Sequence, residues 1–219
     1  MFDLFKGKNL LLFMAAFTVP LNTNNWEMLE FSSLKANKFE ASIEKLTIKV
    51  NQSSSPLIQK FKTPIKFTRV VAKGSIQNGS INLKKDQKQG VFNKESVTDD
   101  YALRLGLVLE GDNQKPKFLP TFMLPGWIKR MFSLAPKGKG IDKIYFLKIA
   151  HNESHVGDKR QHPLHKYLYE EAVTQAVAGD FVIEKTFKNP KTVYGLWLSA
   201  NGEGTKSQFD TVINSIVFY

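Results

Sequence analysis

Segments in which apolar and polar residues alternate dominate the chain. They are clearest at Leu46–Val50, Ile65–Val71 and Tyr101–Glu110. Because successive side chains of a strand point to opposite faces, this period predicts strands with one buried face. The apolar face of the third segment consists of Tyr101, Leu103, Leu105, Leu107 and Leu109. Its other face includes Arg104, which is typical of a central strand with a shallow, partly polar outer side.

Three further apolar segments also predict strands: Ile141–Ala150, Thr192–Ala200 and Phe209–Tyr219. A helical period occurs in His162–Ala178, which a glycine follows. Asp180–Phe187 fits either a strand or a short helix. Many strands with one or two inserted helices predict an all-β protein, an antiparallel β-sandwich.

The composition limits the classes of site that the chain can hold. It has 219 residues, 42% of them hydrophobic, which suits one folded domain, predicted here over residues 26–219. Cysteine is absent from the sequence. A disulfide scaffold, a thiolate metal site and a cysteine nucleophile are therefore excluded.

The chain is strongly basic, but its basic residues are mostly of one kind. Its formal net charge is +11, and four of its 31 basic residues are arginines, the other 27 being lysines. Lysine is a hydrated point charge, whereas arginine grips phosphates and base edges with two parallel hydrogen bonds. The lysines are also scattered along the sequence. The pattern favours a solvated surface with some attraction to anionic polymers over sequence-specific binding of nucleic acid.

The first 18 residues resemble a secretory signal peptide. Lys6 and Lys8 precede an apolar run over residues 10–19, and Ala16 and Thr18 are small residues before a cleavage site after Thr18. At about ten residues the run is far shorter than the roughly 20 that a membrane-spanning helix needs. We therefore expect a periplasmic or secreted protein without a transmembrane span; the alternative is a buried N-terminal strand or helix.

Four short motifs resemble those of a bacterial secreted family, domain of unknown function three-zero-four-seven. They are Asp99–Arg104 (DDYALR) before an apolar strand, Trp127 in the following insertion, Phe187-x-x-Pro190 before Val193–Leu198 (VYGLWL), and the final segment Phe209–Tyr219. The resemblance covers roughly residues 26–219. It implies a jelly-roll sandwich, similar in outline to galactose-binding and other carbohydrate-binding modules. Where the family has an Asp-rich run, this chain has Ser199–Gly202 (SANG).

All four histidines fall within fifteen residues, at His151, His155, His162 and His165. Histidine and carboxylate are the ligands for zinc, nickel or copper that a chain without cysteine retains. A divalent metal at these histidines is one hypothesis, and a histidine-rich surface loop is the other. The HNESH sequence lacks the adjacent His-Glu pair of the zincin proteases.

Asp99 and Asp100 precede the strand that carries Arg104. Paired carboxylates can hold a sugar hydroxyl or a cation, or they can serve as turn and cap residues. Adjacent strand residues point to opposite faces, so this pair does not suit glycosidase catalysis. With Trp127 as a stacking platform, Asp99, Asp100 and Arg104 form the predicted ligand-binding set.

The segment Phe118–Pro136 is aromatic, basic and amphipathic. Trp127, Ile128, Met131 and Phe132 follow a helical stripe. These residues predict either an interaction surface for a partner or a flap that closes one face of the core.

The sequence thus predicts an exported, non-catalytic binding module of the bacterial envelope, with a glycan or another anionic polymer as its ligand and no cofactor required. One alternative is an assembly protein that docks on another envelope protein through residues 118–136. Another is a metal-dependent hydrolase that uses the histidines.

Overall fold

The computed structural model describes residues 16–82, 100–113, 124–162 and 165–219, which form eleven strands and one α-helix. The strands are β1 (Phe17–Thr18), β2 (Glu27–Met28), β3 (Lys38–Ala41), β4 (Leu46–Asn51), β5 (Ser54–Ser80), β6 (Tyr101–Gly111), β7 (Gly140–Ala150), β8 (Lys159–Gln161), β9 (Leu168–Gln175), β10 (Gly179–Asn201) and β11 (Gln208–Phe218). The helix is α1 (Gly126–Leu134), and short 3-10 turns occupy Thr23–Asn25 and Glu153–His155. The prediction of an all-β chain with one or two helices is confirmed in its outline.

The strands belong to one sheet in the order β3-β4-β11-β5-β10-β6-β7-β9-β8, with β1 beside β11 and β2 beside β5. The sheet is mixed, because β7 and β9 run parallel while the other described pairs are antiparallel. The chain leaves β7, runs back along β8 at the edge and returns as β9 between them. Since β8 reverses the direction, β9 must point the same way as β7.

Two long strands, β5 and β10, hold the sheet together. They pair antiparallel from Gly179 opposite Ile76 to Asn201 opposite Ser54, with register shifts on the way. One half of this ribbon carries β11, and the other half carries β6. The Asn189–Pro190 pair, a residue combination that favours turns, lies within β10, where one of these shifts occurs.

The sheet curls so that its two halves face each other. The Thr211 hydroxyl on β11 donates a 2.7 Å hydrogen bond to the Ala102 carbonyl on β6. Two strands separate β11 from β6 in the sheet order, which in a flat sheet would place them about 14 Å apart. The main core fills the space between the halves and includes Phe67, Phe209 and the predicted leucine face of β6.

Helix α1 covers the outer face of the half that contains β6 and β7. Ile128 and Met131 of the helix pack in a second core with Phe146 and Trp197 of the sheet. The helical stripe predicted over this region is therefore confirmed.

The helix predicted at His162–Ala178 is wrong, because Leu168–Gln175 forms strand β9. Its glutamates and alanines suit a helix locally. As a strand, the segment pairs with β7 and brings the buried side chains of Glu170 and Glu171 to basic partners on other strands. These non-local interactions outweigh the local helical preference.

The predicted cleavage site after Thr18 lies at the end of β1. Phe17 and Thr18 pair with Phe218 and Val217 of β11. Val19 follows as a buried residue, and its N–H donates to the Ile216 carbonyl at 2.9 Å.

Candidate functional site

Asp100 lies directly before β6, and its side chain packs against the turn between β10 and β11 rather than in an open cleft. Its side chain is buried, and its carboxylate accepts hydrogen bonds from the N–H groups of Gly204 (3.2 Å) and Thr205 (2.7 Å) and from the Thr205 hydroxyl. The carboxylate thereby fixes the turn between β10 and β11, which is the cap role weighed above. Asp99 lies outside the described residues.

Arg104 is the centre of a buried ion network. Its guanidinium lies 2.6 Å from one oxygen of Glu170 and 3.7 Å above the Tyr101 ring. The other Glu170 oxygen accepts from Arg160 at 2.8 Å. Breaking such a buried pair from one side costs about 3–5 kcal/mol. Arg104 thus ties β6 to β9, and as a ligand-binding residue it would have to keep this contact.

Trp127 and the rest of the helical stripe face the protein itself. Ile128, Met131 and Phe132 are buried against the sheet, which is the flap arrangement. Trp127 is half-buried, with its ring edge-to-face with His165 at 5.2 Å between centroids. For these side chains to dock on a partner, α1 would have to leave the sheet.

The four histidines lie in separate environments. His155 Nδ1 is 3.0 Å from Asp158, His162 Nε2 is 3.6 Å from Glu170, and His165 packs between Trp127 and Tyr167. The carbonyl of His151 accepts from Gln175. In the part of the chain that the structure describes, no group of three or more histidine or acidic side chains is arranged to hold a metal ion.

A groove of about 310 Å³ opens where β7, β10 and the end of β6 meet. We call it the basic groove, and it is lined by Leu109, Asp142, Lys143, Tyr145, Lys185, Thr186, Phe187, Lys188 and Lys191. Four of these nine side chains are lysines. The register shift between Thr186 and Lys191 places the Phe187–Pro190 segment at the rim. Tyr145 and Phe187 form an edge-to-face pair, 5.6 Å between centroids, as the aromatic wall.

Lys185, one of the four lysines of the basic groove, is paired with a buried carboxylate. Glu171 lies 2.7 Å from Lys185 Nζ and accepts a hydrogen bond from the Tyr145 hydroxyl. Burial by itself would raise the pKa of Glu171, but the hydrogen bonds from Lys185 and Tyr145 hold it below its ordinary value. Burial and the bond to Glu171 also raise the pKa of Tyr145, which keeps its hydroxyl protonated.

The charges of the other three lysines of the groove are less neutralised by nearby carboxylates. Lys143 lies 3.4 Å from Asp142. Lys188 and Lys191 are exposed, and within the described residues neither has a carboxylate at ion-pair distance. Positive charge in the groove therefore faces solvent, where an anion could approach it.

A second cavity of about 380 Å³ lies at the β3–β4 end of the sheet. It also has lysines, but Lys49 is paired with Glu40 at 2.6 Å and Lys35 donates to the Asn51 carbonyl at 3.0 Å. Asp210 adds a carboxylate to its wall. With Lys38 the cavity has three lysines against Asp210 and Glu40, whereas the basic groove has four lysines against Asp142 and Glu171, so the basic groove is the more positive site.

Strand register explains how lysines that are scattered in sequence come together. On β10, Lys191 lies two residues before Val193. Across β10, Val193 lies opposite Leu109 near the end of β6, which pairs with the start of β7. The Lys185–Lys191 segment (KTFKNPK) is a local signal that the sequence analysis missed, whereas the approach of Lys143 depends on the pairing.

Comparison with protein-family models gives no match, and comparison with curated proteins gives none either. The resemblance to the secreted family therefore stays a prediction. Among the described residues, no helix combines the length and apolar character that a membrane crossing requires. The geometry of the groove is therefore the basis for a functional proposal.

Proposed function

We propose that the protein is a non-catalytic binding module of the bacterial envelope, periplasmic or secreted, and that its ligand is an acidic glycan bound in the basic groove. The observation that carries this proposal is the groove itself, in which four lysines surround an aromatic wall. Carboxylate or sulfate groups of the glycan would contact the lysines. Apolar C–H faces of the sugar rings would contact Tyr145 and Phe187.

Two features of the groove support this class of ligand. Its cations are all lysines. Lysine attracts an anionic group as a point charge, whereas arginine recognises it through two parallel hydrogen bonds. Asp142 is the single carboxylate among the described residues that line it, whereas glycosidases use a pair of carboxylates. This favours binding over hydrolysis. The curled sheet supports the more specific proposal of a sandwich of the carbohydrate-binding, jelly-roll type.

The test is to measure the affinity of the Lys188→Gln/Lys191→Gln variant for acidic polysaccharides by calorimetry at low and physiological salt. Each exposed ion pair contributes about 0.2–1 kcal/mol, so we expect roughly a tenfold loss for the double variant at low salt. Salt should weaken wild-type binding more than variant binding.

Lys45→Gln/Lys73→Gln is the matched control, since it removes the same charge from exposed positions outside the groove, in the β3–β4 connection and on β5. The control should keep near wild-type affinity. Equal losses in both double variants would mean unspecific attraction by net charge, and wild-type affinity in the groove variant would refute the proposal.

A further inference from the structure

A second basic cleft lies beside helix α1, close to the basic groove. We call it the helix cleft, and it has a volume of about 270 Å³. Its lining residues are Lys129, Phe132, Ser133, Ala135, Pro136, Lys137, Gly138 and Lys139. It has three lysines, the buried Phe132 forms its floor, and it contains no carboxylate among its lining residues.

The positive charge of the helix cleft faces solvent. Lys60, on β5, donates to the Ser133 carbonyl at 2.8 Å, so its ammonium group adds to the rim. Lys139 is 3.6 Å from Glu110, but within the described residues neither Lys129 nor Lys137 takes part in an ion pair. The cleft thus offers at least two uncompensated cations to an anionic ligand.

The start of β7 lies between the two sites, together with the carboxylates of Glu110 and Asp142. Lys139 lines the helix cleft and Asp142 lines the basic groove, three residues apart in the chain. At about 3.3 Å per residue of extended chain, this separation is about 10 Å. A polymer that leaves one site can therefore reach the other within a few sugar units.

We infer that the ligand is an extended acidic polysaccharide, several sugar units long, that passes around the start of β7 and occupies both the basic groove and the helix cleft. This inference rests on the function proposed above. Binding at the second site would be intramolecular once the first site is filled, so the affinity should rise with chain length until both sites are covered. A single sugar or a short oligomer would use the basic groove alone.

The experiment measures the affinity for an acidic oligosaccharide series of increasing length, from disaccharide to long polymer, by calorimetry at low salt. Three proteins are compared: wild type, Lys129→Gln/Lys137→Gln in the helix cleft, and Lys188→Gln/Lys191→Gln in the basic groove. At two- to fivefold per exposed lysine, the cleft variant should lose about tenfold on long chains. It should match wild type within about twofold on the disaccharide, because that ligand does not reach the cleft.

The outcomes separate this inference from the proposed function. If affinity does not depend on length, or if the cleft variant loses equally at every length, the extended ligand is refuted while the groove remains as the binding site. If the groove variant binds every length as wild type does, the proposed function itself fails. Tighter binding of single-stranded DNA of matched length and charge would overturn the assignment to a glycan. Thermal unfolding of each variant checks that these surface changes leave the fold intact.

Discussion

Replacing Glu171 by glutamine changes the stability and the proposed binding activity in opposite directions. The Glu171 side chain is 8% exposed and contacts Lys185 at 2.7 Å, Lys159 at 3.7 Å and the Tyr145 hydroxyl. Glutamine keeps the size and an acceptor for Tyr145, but it removes the negative charge. Lys185, which is 21% exposed, then turns toward solvent and the basic groove.

The expected loss of stability follows from this geometry. Removing one partner of a fully buried ion pair costs about 3–5 kcal/mol. Lys185 can reach water after release and the hydrogen bond from Tyr145 is kept, so we expect the free energy of unfolding to fall by about 2 kcal/mol. For a domain of this size that corresponds to a decrease in Tm of roughly 4–8 °C. The affinity for an acidic oligosaccharide should rise about threefold, because the groove gains one positive charge.

The pH dependence of stability provides a second test of the same ion pair. Because the folded-state pKa of Glu171 lies below the ordinary 4.5, its contribution is complete above pH 4.5. It is lost as the pH falls through that lowered pKa. The difference in unfolding free energy between wild type and Glu171→Gln should therefore shrink in acid.

Glu184→Gln is the control for this experiment. Glu184 precedes Lys185 on β10 and so points to the opposite face, where it forms an exposed pair with Arg69 at 2.8 Å. We expect loss of this exposed pair to lower the free energy of unfolding by less than about 1 kcal/mol. Equal stability of Glu171→Gln and wild type across the pH range, measured by urea unfolding, would refute the reasoning.

Three further predictions concern the fold that supports the groove. A Cβ at Gly195 would lie 2.3 Å from the backbone oxygen of Gln59, so Gly195→Ala should lower the free energy of unfolding in urea by at least about 2 kcal/mol. Gly126 has open space around the new carbon, so Gly126→Ala should be neutral or slightly stabilising. Met131 of α1 is fully buried against the sheet, so Met131→Ala should lower the free energy of unfolding by about 2–5 kcal/mol. A decrease of less than about 1 kcal/mol would contradict the described packing. Burial and the neighbouring Lys166 lower the pKa of His165 below 6.5, so its contribution to stability should be complete above that pH and decline as the pH falls through the lowered value. A titration by NMR that gave a pKa above 6.5 would be inconsistent with this environment.

The strands that alternate clearly could be predicted because burial decides them locally. The leucine face of β6 and the segments at β7, β10 and β11 are strands in the structure. The helix predicted at β9 is wrong because the glutamates of this segment meet their basic partners only through pairing with distant strands. The parallel β7–β9 pair and the length of β5 likewise depend on contacts that no local pattern encodes.

The site was harder to predict than the strands. In the sequence, Asp100 and Arg104 are conspicuous as charged residues before and within an apolar strand. The structure gives them a structural role, because both side chains are buried and paired with other parts of the chain. The lysines of the basic groove are ordinary surface residues one at a time. They form a site only because β10, with its register shift between Thr186 and Lys191, lies beside the start of β7.

The pairing of β5 with β10 also has a consequence for biosynthesis. The nearest paired residues of the two strands, Ile76 and Gly179, are about 100 residues apart, and at 5–20 residues per second a ribosome needs roughly 5–20 s to make that interval. During this time β5, 27 residues long, lacks the strand with which it pairs from Ser54 to Ile76. Contacts so distant in sequence also make folding slow, on the scale of milliseconds to seconds even for the finished chain. The nascent protein thus displays a long strand with an unpaired edge and uncovered apolar residues for several seconds, a state that is prone to aggregate and that holding chaperones protect.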